Sequence, residues 1–95
     1  MEIRETATFR KWFSGLRDVL AKRRIDIRIR HLVMGNHGDV APVGEGVSEL
    51  RIDYGSGYRV YFKDTGKAII ILLCAGDKST QNRDIKKAKE LARGF

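Results

Sequence analysis

Arg59 and Tyr61 stand in a segment, Tyr58 to Lys63, whose residues alternate in character. Tyr58, Val60 and Phe62 share one parity, and Arg59, Tyr61 and Lys63 share the other. Successive side chains of a strand point to opposite faces, so the pattern predicts a half-buried strand from which an arginine and a tyrosine project side by side. Val47 to Asp53 alternates likewise, with Leu50 and Ile52 inward and Glu49, Arg51 and Asp53 outward. A three-residue hairpin loop at Gly55-Ser56-Gly57 then sets Leu50 opposite Phe62, Ile52 opposite Val60, Glu49 opposite Lys63, Arg51 opposite Tyr61 and Asp53 opposite Arg59. Arg51, Arg59 and Tyr61 gather into one surface patch suited to a polyanion. The plain alternative makes Arg59 the surface partner of Asp53, an exposed pair contributing under ~1 kcal/mol.

The elements that must position this patch follow from the pattern. Lys67 to Cys74 is apolar at every position but the first, a composition that suits a central strand covered on both faces. With a Thr65-Gly66 turn, Ile69, Ile71 and Leu73 join the core side. Ile70, Leu72 and Cys74 then lie under the patch, where the C-terminal segment or a partner protein must cover them. A polar loop follows, Asp77 to Gln81, and Ser79 or Thr80 can cap a last helix to about Arg93 with Ile85, Ala88 and Ala92 as its narrow apolar edge.

Upstream, Met1 to Glu5 reads as a short edge strand, and Thr6 or Thr8 as the cap of a helix carrying Phe9, Trp12, Phe13, Leu16 and Leu20 in one stripe. That aromatic stripe reads as core. From Asp18 to Met34 a second helix collects Ala21, Ile25, Ile29 and Leu32 and stops at Gly35-Asn36. Its second stripe, Leu20, Ile27 and Met34, packs on the first helix or docks a partner. Gly35 to Gly46 reads as a loop, with four glycines and the only proline.

Ninety-five residues fit a single domain, 1–95. No apolar run approaches the roughly 20 residues that cross a bilayer, and the N-terminus lacks a signal peptide's apolar segment. With Cys74 as the only cysteine, the expectation is a reducing compartment, the cytosol. The net charge of +7 is uneven: nine Lys/Arg against four Asp/Glu in 1–34, four against five in 35–76, six against three in 77–95. The excess favours RNA, DNA or an acidic protein as partner. His31 and His37 invite comparison with a two-histidine nuclease, but nothing in the sequence fixes their separation. No His/Cys/Asp spacing of a metal site and no phosphate-binding glycine motif occurs, so neither metal nor cofactor is expected.

The joint occurrence of W-F-x-x-L-R-D, R-I-x-x-R-I-x-x-L-x-x-G-N-x-G-D, G-V-x-E-L-R-I, G-Y-R-V-Y-F and G-D-K-S-T-Q resembles the RelE/ParE superfamily of toxins from type II toxin–antitoxin systems, in its HigB-like addiction module killer branch. The likeness spans about residues 9 to 92. It implies a small α+β domain, with two N-terminal helices packed on one face of an antiparallel sheet and a short C-terminal helix. It further implies a ribosome-dependent mRNA endonuclease, in which a ribose 2′-OH gives up its proton and attacks the adjacent phosphate, cations stabilise the charge growing on phosphorus, and the 5′ oxygen departs and is protonated. Arginine's fork matches phosphate oxygens and lysine serves as a point charge. By this resemblance Arg59 and Lys78 are candidate catalytic residues; Tyr61 joins them from the sheet patch, and Arg51, Lys63, Gln81 and Arg83 are the candidate RNA contacts. Residues 79 to 95 lack the tyrosine that many RelE members carry there, which leaves Tyr61 to act from the sheet. Implied partners are a helix-turn-helix antitoxin, the ribosome with mRNA, and operator DNA reached through the antitoxin complex; no membrane is implied. The alternative within the superfamily is a ParE-like toxin that inhibits DNA gyrase without chemistry of its own.

Overall fold

The computed structural model describes residues 1–95. The elements run β1 (Glu2–Glu5), α1 (Ala7–Gly15), α2 (Val19–Val33), β2 (Val40–Gly44), β3 (Val47–Ile52), β4 (Tyr58–Asp64), β5 (Ile69–Gly76), a 3-10 turn (Lys78–Thr80) and α3 (Gln81–Ala92). One five-stranded sheet has the order β1-β5-β4-β3-β2. Its pairings are antiparallel except β1 with β5, which are parallel. The fold is the α+β arrangement expected, with a mixed rather than wholly antiparallel sheet. No helix is long and apolar enough to cross a membrane.

Local chemistry sets the helix boundaries. Thr6 caps α1 by accepting from the Phe9 amide at 3.0 Å, and its own hydroxyl donates to the Leu73 carbonyl, fastening the helix start to β5. Asp18 caps α2 through the Leu20 and Ala21 amides, at 3.0 and 3.1 Å. The stripe Ala21, Ile25, Ile29 and Leu32 is wholly buried, as its spacing requires. Ile25, Ile29 and Leu32 pack with Phe9 on Leu50, Ile52, Val60, Phe62, Ile70 and Leu72. Each fully buried aliphatic or aromatic side chain of this kind contributes roughly 1.5–3 kcal/mol.

The opposite sheet face carries a second core. Val47, Tyr61, Ile71, Leu73 and Cys74 meet Ala88 and Ala92 of α3. The C-terminal segment is therefore the cover that the apolar strand demanded.

Three expectations are corrected. The β3–β4 register is displaced by two residues: Leu50 faces Val60, Arg51 faces Arg59 and Glu49 faces Tyr61. The connection spans Asp53 to Gly57 instead of three residues, with Gly55 and Gly57 at positive φ. An even displacement keeps every side chain on its expected face. Between β4 and β5 the displacement is odd, because Asp64 pairs with Ile70 where a two-residue turn would have set Lys67. The turn runs on through Ala68 at φ 62° and closes by the Thr65 amide and hydroxyl donating to the Ile69 carbonyl. Hence Ile70 and Leu72 face α1 and α2, while Ile71 and Leu73 face α3, the reverse of the expectation. A bulge at Leu73, between the Tyr61–Cys74 and Phe62–Leu72 pairs, returns Cys74 to the expected side. Finally, β2 lies inside the segment expected as loop. It is an edge strand, the position that tolerates Pro42 with its missing N–H.

Candidate nucleic-acid interface

β3 and β4 present Glu49, Arg51, Arg59, Tyr61 and Lys63 to the face that α3 covers. The expected solvent-facing patch is instead a polar node closed around Glu49, whose side chain is only 1% exposed. Arg51 Nε donates to Glu49 Oε2 at 3.0 Å, Tyr61 Oη to Oε1 at 3.2 Å, and Gln81 Nε2 to Oε1 at 2.9 Å. Arg59 Nε lies 3.2 Å from Oε1, but its direction makes no hydrogen bond, so charge alone holds this pair. Arg59 Nη1 donates to the Gly57 carbonyl at 3.0 Å, and the side chain is 14% exposed.

The node corrects the roles expected of its members. Tyr61 is completely buried, and burial together with the neighbouring Glu49 charge pushes its phenol far above the ordinary tyrosine range. It is a neutral hydrogen-bond donor to Glu49 with no surface to offer a substrate. Arg51 is the more exposed guanidinium, and its hydrogen bond to Glu49 raises its pKa further. It also reaches Asp39 Oδ1 at 3.4 Å. Lys63 Nζ donates to the carbonyl of Phe95 at 2.9 Å and reaches that of Ala92 at 3.4 Å, tying β4 to the end of α3. Gln81 is the first residue of α3 and spends its amide on Glu49. Two guanidinium charges against Glu49 and Asp39 leave this patch close to neutral.

The uncommitted charge lies at its margin. Gly57, at φ 79°, brings the hairpin loop against the 3-10 turn, where Lys78 N donates to the Ser56 carbonyl at 3.3 Å. A Cβ at position 57 would sit 3.5 Å from both Arg59 Nη1 and Lys78 Cβ, so residues 19 apart in sequence flank one glycine. Lys78 is exposed, as is Arg83, whose Nε is 3.7 Å from Asp84 Oδ1. Lys86 and Lys87 continue the exposed basic face of α3. Asp77 organises the turn by accepting from the Ser79 hydroxyl and amide, and the hydroxyl bond above all holds its carboxyl below the usual range. Lys78 is thus brought together with Arg59, and Arg83 stands exposed on the first turn of α3, whereas Tyr61, Arg51, Lys63 and Gln81 hold the scaffold. His31 belongs to α2, on the face of the sheet opposite Glu49.

Sequence reasoning missed Glu49 as the centre of the site, because an alternating strand assigns it to solvent. The available signal was the concentration of Arg51, Arg59, Tyr61 and Lys63 on a face that also needed a cover. Cys74 is buried, its thiol donates toward the Asp84 carbonyl, and burial pushes its pKa up to about 12, so it stays protonated and unreactive.

Fold and site define a small α+β domain with a basic C-terminal helix laid over a charged sheet face. No family model matches the chain. It is 52% identical over 92 residues to an uncharacterized protein of Haemophilus influenzae, across 97% of this chain and 93% of that one. The chain belongs to the same family as that protein.

Proposed function

We propose that this protein is the toxin of a type II toxin–antitoxin module, acting in the cytoplasm as a metal-independent, ribosome-dependent mRNA endonuclease that a helix-turn-helix antitoxin neutralises. The antitoxin complex would bind its own operator. The motif resemblance over residues 9 to 92 supports this reading, and so does the fold it implied. The observation that carries it is the meeting of Arg59 and Lys78 at Gly57, with Arg83 exposed on the first turn of α3. There a phosphate meets an exposed lysine that no carboxylate holds. Lys78 supplies a point charge to the phosphorane oxygens, and Arg83 supplies the fork. Arg59 joins them only where a phosphate oxygen replaces Glu49 as its counter-charge.

That neutralisation of Arg59, with the burial of Tyr61, favours one other reading, a ParE-like toxin that binds gyrase and performs no chemistry. One experiment separates the two. The protein is induced in cells and added to ribosomes programmed with a defined mRNA, beside Lys78→Ala, whose exposed side chain can be removed without disturbing the core. The nuclease reading expects growth arrest, cleavage at the A site, and at least a tenfold loss of cleavage in the variant. Arrest with intact mRNA and inhibited supercoiling establishes the gyrase reading, and no arrest at all sinks both.

A further inference from the structure

Between α1 and the head of α3 the surface opens into a pocket of about 290 Å³. Trp12, Leu16 and Tyr58 form its apolar walls, and Asp77, Thr80 and Arg83 its polar side. The Trp12 and Tyr58 rings meet edge to face, 6.1 Å between centroids at 69°, so they form a corner and not a closed stack. Both side chains are half-buried, leaving ring surface open to the pocket. A shallower groove continues from it along α1 and α3, sharing Trp12 and Leu16 and flanked by Lys11 and Lys87.

This combination fits one kind of ligand. A site at the lower end of the ~300–1,000 Å³ range of small-molecule pockets admits a single planar ring system. Aromatic walls bind any nucleobase by stacking, while cations along the adjoining groove follow a sugar-phosphate backbone. A duplex keeps its bases stacked on each other and has none to place here. We infer that this pocket is a nucleobase subsite: one unpaired base of a single-stranded RNA packs into the corner between Trp12 and Tyr58. Arg83 contacts that nucleotide's phosphate, and Lys11 and Lys87 hold the neighbouring phosphates. The inference rests on the nucleic-acid reading of the proposed function and identifies which part of the strand the protein grips.

Trp12 is the chain's only tryptophan, so its emission reports this site alone. The test titrates the whole protein with a ten-nucleotide unstructured RNA and with the same RNA annealed to its complement. Binding is followed by Trp12 fluorescence and, independently, by the anisotropy of a labelled strand. The single strand is expected to quench Trp12 and the duplex to leave it unchanged. Trp12→Ala should weaken single-strand binding by about 5- to 150-fold, the range of one lost base–aromatic stack, and Trp12→Phe should restore most of it. Because Trp12 also packs near Phe9, the exposed Arg83→Glu serves as the variant that leaves the fold intact. It should weaken binding at least tenfold and shift the quenching titration to match. Anisotropy without quenching, or equal binding of duplex and single strand, would overturn the subsite and mark the protein as a generic polycation. Quenching in a protein that neither arrests growth nor cuts mRNA would keep the subsite and refute the toxin reading; cleavage without quenching does the reverse.

Discussion

Glu49→Gln should destabilise the protein more than the loss of any single surface charge. The substitution keeps the volume of a side chain that is 1% exposed and removes only its charge. Arg59, 14% exposed and with no hydrogen bond at Nε, then has no counter-charge. Breaking a buried pair from one side leaves an uncompensated charge and costs roughly 3–5 kcal/mol. Arg51 adds little to this, because it is 43% exposed and keeps Asp39. An expectation of ~3 kcal/mol is a large share of the ~5–14 kcal/mol available to a chain of 95 residues.

Urea unfolding followed by circular dichroism and by Trp12 emission measures the change. With a slope of ~1–3 kcal/mol per molar urea, the midpoint should fall by ~1–3 M. Replacing the partners together tests the cause. Glu49→Leu with Arg59→Met and Tyr61→Phe removes the charges and the phenol that Glu49 satisfies, and should recover stability to within ~1 kcal/mol of the parent. A loss below ~1 kcal/mol for Glu49→Gln, or a triple variant as weak as the sum of its parts, would show that water or backbone already satisfies Arg59 and that the node holds nothing together.

Two further outcomes follow from local geometry. A Cβ at Gly76 would lie 1.9 Å from Asp84 Oδ2 and 2.6 Å from Thr80 Oγ1, so Gly76→Ala must displace the Thr80–Asp84 hydrogen bond at the head of α3. Overpacking of this kind should lose ~1–3 kcal/mol, with hydrogen exchange quickening first in α3; uniform protection would contradict it. Asp18 has its carboxyl held below the usual range, by the Ala21 amide first and then by the Tyr54 hydroxyl at 3.0 Å. Its folded pKa is below its unfolded value of about 3.9, so its contribution is present above about pH 4 and is lost as pH falls through the folded pKa. The melting temperatures of the protein and of Asp18→Ala should therefore differ at neutral pH and converge in acid. A gap that persists to about pH 2 would place the capping energy outside the carboxylate's charge.

The helices were legible because their information is local, although α1 ends at Gly15, so that Leu20, expected in its core stripe, lies exposed on α2. Thr6 and Asp18 mark their starts, and the 21, 25, 29, 32 stripe marks the buried face with no reference to distant chain. The faces of β3 and β4 were legible for the same reason, since period-two alternation survives an error of two residues. The parity of β5 was not. Its residues are apolar on both sides, so alternation carries no signal, and the face of each depends on a turn that extends through Ala68 at positive φ and on the bulge at Leu73. β2 was hidden by glycine and proline, whose punctuation is as compatible with an edge strand as with a loop.

The sheet face that carries Arg51, Arg59, Tyr61 and Lys63 was legible, but its closure around Glu49 beneath α3 was not, for a physical reason. A sequence counts Arg59 as a free cation. Its effective charge, however, depends on whether a carboxylate shares its low-dielectric surroundings, and that is settled by what lies above the strand. Here α3 lies above it with Ala88 and Ala92 as its only fully buried apolar residues and Ile85 and Leu91 partly buried beside them, an apolar edge too narrow to hold a helix by hydrophobic contact alone. Gln81 at one end and Lys63 at the other supply the remaining grip, through Glu49 and the terminal carbonyls. Residues whose chemistry suits a phosphate are consumed in fastening the cover, and the positive charge that remains for a partner is displaced to its rim and outer face. A phosphate approaching this surface therefore meets the exposed Lys78 before Arg59, and variants of the rim should alter binding where variants of the node alter folding.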